Sequence, residues 1–424
     1  MDDSRPTRRE GRKRGIPAAP PPRTAFEALA TESDALALAL FQSLKNVLIW
    51  SNTPANRRPA LFRRVGEPVH QRMHAAASAA PLLADPLSVF LDMQSAPGTM
   101  EPTRVGMACF QVWQWAERCG LATIATSFAE AGAYADPADP RLAAAAGYSA
   151  RKMGGAEMWA RSEVWHLRAL ALAVRMGNRY EMVRALTGWG ALLKDMGRID
   201  EALEKYEEAA RRASRAGQRR AAVVQHYIFA LRVDSGQLEE AIPHAVKAFD
   251  LYPQRDDRVP ALAHDLGYLL VRKRHFRLAL HLLDAATTRP FRTRDLGIVF
   301  ATVAHAAGGA GRLARYEAAE HLSLQLANTG GEYAAAALAS LGEGARALGL
   351  WDRAEAHARA SLRLARGRRD RGGSREAVAL LRAILRREAG PFNETPAADA
   401  PVAMLARRVA ARLRSASRRP MSVR

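Results

Sequence analysis

The chain has 424 residues, enough for two or three ordinary domains or one long repeat array, and 48% of them are hydrophobic, which is ample for a continuous core. Ala, Leu, Arg and Glu dominate, and runs of Val, Ile and Thr with period two do not occur, so a β-sheet fold is excluded and an all-α fold is expected. The net charge of +20 sits mainly at the ends: residues 1–24 hold seven basic against three acidic residues, and residues 363–424 sixteen against five. A uniformly basic nucleic-acid groove is therefore not indicated.

Residues 1–24 are basic and proline-rich, with too few apolar groups to offset the entropy of ordering, and read as a disordered tail. Arg8, Arg9, Arg12, Lys13 and Arg14, followed by Pro17 and Pro20, leave no apolar run for a signal peptide. Residues 26–96 read as a helical N-terminal region of three or four short helices. Phe26, Leu29, Leu36, Leu40, Leu44 and Val47 mark the first, with a break at Thr31 to Asp34. Ala35 to Trp50 is apolar on one side only, so no membrane span is expected. Pro59, Pro68 and Pro86 suit helix first turns, Asp85 suits an N-cap, and Ala96-Pro97-Gly98 reads as a boundary. Pro54, Pro59, Gly66 and Pro68 punctuate this region too often for a helix-turn-helix. Cys109 and Cys119 fall on one predicted helix, which excludes a disulfide between them and fits a reducing, cytoplasmic setting.

From about Val105 a spacing recurs. Gly190, Gly197, Ala202, Tyr206 and Ala209 are separated by 7, 5, 4 and 3 residues. The same offsets give Trp113, Gly120, Ala125, Ala129 and Gly132; Phe229, Gly236, Ala241, Ala245 and Ala248; Gly267, Arg274, Ala279, Leu283 and Ala286; and Gly342, Gly349, Ala354, Ala358 and Ser361. Two weaker copies are Ala150, Glu157, Ser162, His166 and Ala169, and Ala307, Ala314, Ala319, Ser323 and Leu326. Residues at i, i+4 and i+7 share one helix face, so each copy places small groups and one larger side chain on a seam between two antiparallel helices. Such a pair cannot bury its apolar face alone and requires stacked neighbours.

These residues, with Pro137 and Pro253 closing two copies, resemble the tetratricopeptide repeat over roughly 105–368, with turns 35 to 40 residues apart against about 34 in the common form. That longer period resembles the repeats of large bacterial regulators and kinesin light chains. The resemblance implies an all-α, right-handed superhelical solenoid of antiparallel helix pairs over 105–388, preceded by the helical region 26–96. Arg375 to Glu388 is expected to cap it, after a flexible turn at 367–374. Residues 390–424 read as a linker and a solvated, basic amphipathic tail around Leu405, Val409 and Leu413.

No segment carries a phosphate loop, a zinc-binding helix motif or a nucleophile elbow, so a noncatalytic protein without metal or cofactor is expected. Gly308, Gly309 and Gly311 read as an interhelical turn, and His226, His264 and His305 as satisfied or groove-lining histidines. The resemblance implies a concave surface lined by the first helix of each pair, here presenting Arg151, Arg184, Lys194, His226, Val233, His264, Tyr268 and Arg272. The expected partner is an acidic or amphipathic protein segment, since arginine engages carboxylates bidentately and tyrosine gives a low-entropy contact. The alternative is a nucleic-acid-associated transcriptional regulator, holding nucleic acid nonspecifically by its basic tails.

Overall fold

A computed structural model of the chain describes residues 15–20, 35–62, 67–289, 296–326, 333–368, 370–388 and 400–417. The described residues hold helices and no strand. They form two compact units, residues 1–189 and 190–424.

In the first unit, α1 (Ala35–Asn52), α2 (Glu67–Ala79) and α3 (Ala84–Ser95) precede α4 (Pro102–Cys119), α5 (Ala122–Ala135), α6 (Pro140–Met153), α7 (Ala156–Arg175) and most of α8 (Arg179–Asp195). The N-terminal region shares one core with the first repeat pair, in which Leu40, Trp50, Phe90, Val112 and Phe128 are buried together. Ala96-Pro97-Gly98 is tied into that region, because the Trp50 indole donates to the Pro97 carbonyl at 2.8 Å. Asp85 lies within the first turn of α3 and Leu83 holds the cap position. Pro59 sits inside a short 3-10 turn, Ala55–Ala60. The break at Thr31 to Asp34, and Phe26 and Leu29, lie outside the described residues.

The second unit completes α8 and holds α9 (Ile199–Ala213), α10 (Gln218–Asp234), α11 (Leu238–Leu251), α12 (Val259–Arg272), α13 (Phe276–Thr287), α14 (Leu296–Gly309), α15 (Leu313–Leu326), α16 (Ala334–Ala347), α17 (Trp351–Gly367), α18 (Arg371–Leu385) and α19 (Ala400–Ser417). Its core runs from Ala222 to Leu413.

At two of the predicted seams the helices come very close. A Cβ added to Gly190 would lie 2.6 Å from the Tyr206 ring, and one added to Gly267 would lie 2.6 Å from Leu283. These contacts, symmetric about a tight turn, are what antiparallel helices produce. Ala202, Ala209, Ala241, Ala279 and Ala354 are fully buried. Gly120, Gly197, Gly236 and Gly349 sit at the predicted turns with φ near +75°, and Arg274 takes the same left-handed conformation at φ 64°. Each lets the chain reverse while its amide and the next cap the preceding helix, as at Gly197 and Arg198, which donate to Lys194 and Leu193.

Two copies shift. The second turns at Gly154 and Gly155, not at Glu157, and Gly147 meets His166. The sixth turns at Gly311, not at Ala314. Counted from there, Ser323 falls in the register of Ser361, and both hydroxyls donate to carbonyls of their first helices, Gly297 and Ala335, at 2.8 and 2.7 Å. Gly308 and Gly309 therefore belong to α14, where a Cβ would meet the Gly344 backbone at 2.2 Å and the Phe276 ring at 2.4 Å respectively. They permit helix contact, and only Gly311 makes the turn.

Within 367–374, Gly367 ends α17 and residues 371–374 open α18, which Asp370 caps by accepting from the Gly373 amide at 2.9 Å. Residues 389–399 and 418–424 lie outside the described residues, as do 1–14 and 21–34. Within the tail expected to be disordered, residues 15–20 lie against the first unit. The helix expected to be solvated, α19, is docked: Val402, Leu405, Val409 and Leu413 are buried in the second unit's core. Arg408 pairs with Asp250 at 2.7 Å, and Arg412 donates to the carbonyls of Phe249 and Tyr252 at 3.1 and 2.7 Å. Those carbonyls end α11, where a cation complements the helix dipole.

Candidate functional site

The first helices of the second unit carry a polar row. Lys194 on α8 pairs with Asp234 on α10 at 2.8 Å, and both remain more than a third exposed. The charge of Asp234 holds the ammonium well above its ordinary pKa, against the opposing effect of burial. One helix further on, His226 is hydrogen-bonded through Nδ1 to the Tyr252 hydroxyl at 3.0 Å and through Nε2 to Asp265 on α12 at 2.9 Å. The other oxygen of Asp265 meets His264 Nδ1 at 2.9 Å, and His264 Nε2 reaches Thr302 on α14 at 3.0 Å. Burial would raise the Asp265 carboxyl, but hydrogen bonds from the two histidines outweigh it and hold the group well below the usual carboxylate range.

This chain of contacts ties α10, α12 and α14 together through side chains that the sequence placed on successive first helices. The ring nitrogens are used up within the chain of contacts rather than converging on an empty point. Among the described residues no group of three or more His, Cys, Asp or Glu is placed to hold a metal ion. His305 stands apart from the row; burial lowers its pKa to about 4.

Tyr268 and Arg272, one turn apart on α12, meet at 3.3 Å, and the guanidinium lies 5.8 Å from the ring centroid. Burial raises the phenol, and Arg272 opposes that rise. Glu376 of α18 lies within electrostatic reach of Tyr268, Arg272 and Asp234; burial raises its carboxyl first and Asp234 adds to the effect. Asp234 and Glu376 are not legible in the sequence because the neighbours that place them on this face come from other helices, as Lys194 does, 40 residues from Asp234. Val233 does not line this face. It is 2% exposed and packs in the core.

In the first unit, Arg184 pairs with Glu181 at 3.5 Å on its own helix, and Arg151 lies 5.7 Å from the Tyr148 ring centroid. Between their helices sits His166, wholly buried and pressed between Gly147 and Gly188. Neither ring nitrogen has a hydrogen-bond partner. Burial, reinforced by the charges of Arg151 and Arg184, lowers its pKa to about 3, so the ring is neutral.

No protein-family model matches the chain, and no curated protein matches it. Among solved structures it is similar to a chain in a crystal structure of the APC/C hetero-tetramer Cut9–Hcn1, at 13% identity over 84% of this chain and 64% of that one, with a TM-score of 0.47. It spans less than two thirds of that chain's length. It is also similar to a Rap protein complexed with Competence and Sporulation Factor, at 12% identity over 84% of this chain and 99% of that one, with a TM-score of 0.41. The antiparallel helix pairs are seen in the chain's own close contacts and turns.

Proposed function

We propose that the protein is a noncatalytic scaffold that captures a segment of another protein on the first-helix face of its second unit. The observation that supports this reading is the cross-repeat polar row. Lys194 and Asp234, Asp265 and His264, and Tyr268 and Arg272 form a face, braced from behind by the buried His226 through Tyr252 and Asp265. Rigid, half-exposed Tyr and Arg side chains lose little entropy on binding, which suits them as anchors. Lys194 and Arg272 favour a segment that brings carboxylates, and an amphipathic segment would set its apolar side against Tyr268.

The nucleic-acid reading rests on the basic tails at both ends, of which the C-terminal helix is described. There Arg408 and Arg412 are engaged with Asp250 and with backbone carbonyls, and Arg414 meets His281 at 2.9 Å. These contacts favour the protein partner.

The test is capture from the native cell with identification of the bound proteins, comparing the intact chain with a Lys194→Glu/Arg272→Glu variant of matched helicity and melting. Loss of a partner's acidic segment from the variant is expected. Undiminished binding of the same partner would remove this face from the function.

A further inference from the structure

The first unit holds a stretch of its own chain in a manner that fits a recognition site. Residues Gly15 to Pro20, sequence GIPAAP, are neither helix nor strand. Ile16 and Ala19 pack against a core cluster that includes Leu142, Trp165 and Leu172. The Tyr134 hydroxyl donates to the Pro20 carbonyl at 2.7 Å, and Arg168 Nη1 donates to the Pro17 carbonyl at 2.7 Å.

The periodicity of these contacts is three: Ile16 and Ala19 on the apolar floor, Pro17 and Pro20 under the two donors. Three residues per turn is the repeat of the polyproline II helix, and proline fixes φ near the value that helix needs. In such a segment the prolines have no N–H, so carbonyls dominate its hydrogen-bonding capacity, and the site offers donors. Both donors are held in place from behind. Arg168 also donates to the Pro137 carbonyl at 2.9 Å. Tyr134 accepts from Arg161 at 3.0 Å, and Arg161 is itself paired with the buried Glu130, which also accepts from the Trp165 indole at 3.1 Å. Burial and the neighbouring Glu130 raise the Tyr134 phenol, so it stays protonated and remains a donor.

We infer that α5 and α7 form a binding site for an extended apolar-Pro-x-x-Pro segment, occupied in cis by Ile16–Pro20, and that a partner carrying the same pattern binds by displacing it. This site lies in the first unit and does not depend on the face proposed above. A tethered occupant competes at an effective concentration in the millimolar range, so the intact chain presents the site as closed and an untethered peptide sees it only weakly.

The experiment uses the full chain and a fluorescent peptide of residues 11–24. Ile16→Asp in the full chain puts a charge on the apolar floor and loosens the tethered segment without altering the site. That variant is expected to bind the peptide at least tenfold more tightly than the unaltered chain, with one peptide per chain and little dependence on salt. Adding Arg168→Ala is expected to abolish the gain, and adding Tyr134→Phe, which removes a single donor, to reduce it several-fold. A peptide carrying Ile16→Asp has the same basic residues and is expected not to bind. If the Ile16→Asp chain, folded by circular dichroism, binds the peptide no better than the unaltered chain, or if Arg168→Ala leaves the gain intact, the inference is wrong.

Discussion

Gly308→Ala tests the packing logic at its tightest point. In an isolated helix the change from glycine to alanine is favourable by about 1 kcal/mol. In α14 the new methyl would lie 2.2 Å from the Gly344 carbonyl oxygen and 2.6 Å from its Cα. Ordinary contact needs about 1 Å more, and the obstacle is the backbone of α16, which has no rotamer to change. Overpacking of this kind costs about 1–3 kcal/mol and more where nothing relaxes, so a net loss of about 1–2 kcal/mol is expected after the helix gain. Gly311→Ala is the comparison: its methyl meets nothing within 4 Å, but φ is +68°, a conformation that costs an L-residue about 1–2 kcal/mol. The two losses have different signatures. Repeat proteins need not unfold in one step, so denaturation midpoints should be read together with amide exchange. Gly308→Ala should speed exchange in both α14 and α16, and Gly311→Ala chiefly at the α14–α15 turn. A Gly308→Ala protein as stable as the unaltered chain, with α16 equally protected, would refute the close approach of these helices.

His166 and His305 predict an acid limb of stability. Both are lowered, to about 3 and about 4, so the unfolded chain takes up their protons first as pH falls below about 6.5. Stability is then greatest above that pH and declines toward pH 4 by about 1.4 kcal/mol per pH unit for each histidine. His166→Leu, which copies the Leu283 seam, should remove part of this slope in urea titrations between pH 7 and 5; an unchanged slope would exclude His166 as a source. Arg412→Ala should free α19: hydrogen bonds from a charged group contribute about 1.5–3 kcal/mol, so exchange within 400–417 should rise by an order of magnitude or more, whereas Arg407→Ala, at an exposed position, should leave it unchanged. Equal exchange in the two variants would show that apolar burial alone holds the helix.

The amino-acid sequence by itself determined the helix pairs. Seam positions such as Gly190 and Tyr206, and turns such as Gly236 and Gly349, follow from contacts within about 20 residues, where helical spacing maps directly onto space. It failed by one turn at the second and sixth copies, where Gly154 and Gly311, rather than Glu157 and Ala314, supply the left-handed residue. Gly308 was legible as a glycine but not as a helix contact, since its neighbour Gly344 comes from the next repeat. The candidate face was legible only as a set of exposed types on first helices. That His226, Asp265 and His264 form one hydrogen-bonded chain, and that Val233 turns inward, depends on the rotation of each helix about its axis, which packing fixes. The two tails were decided by tertiary structure alone. Ile16–Pro20 is too short, and Ala400–Ser417 too basic, to order itself, and they are held by surfaces that exist only once the repeats have stacked: Tyr134 and Arg168 for one, the end of α11 and the apolar flank of α13 for the other.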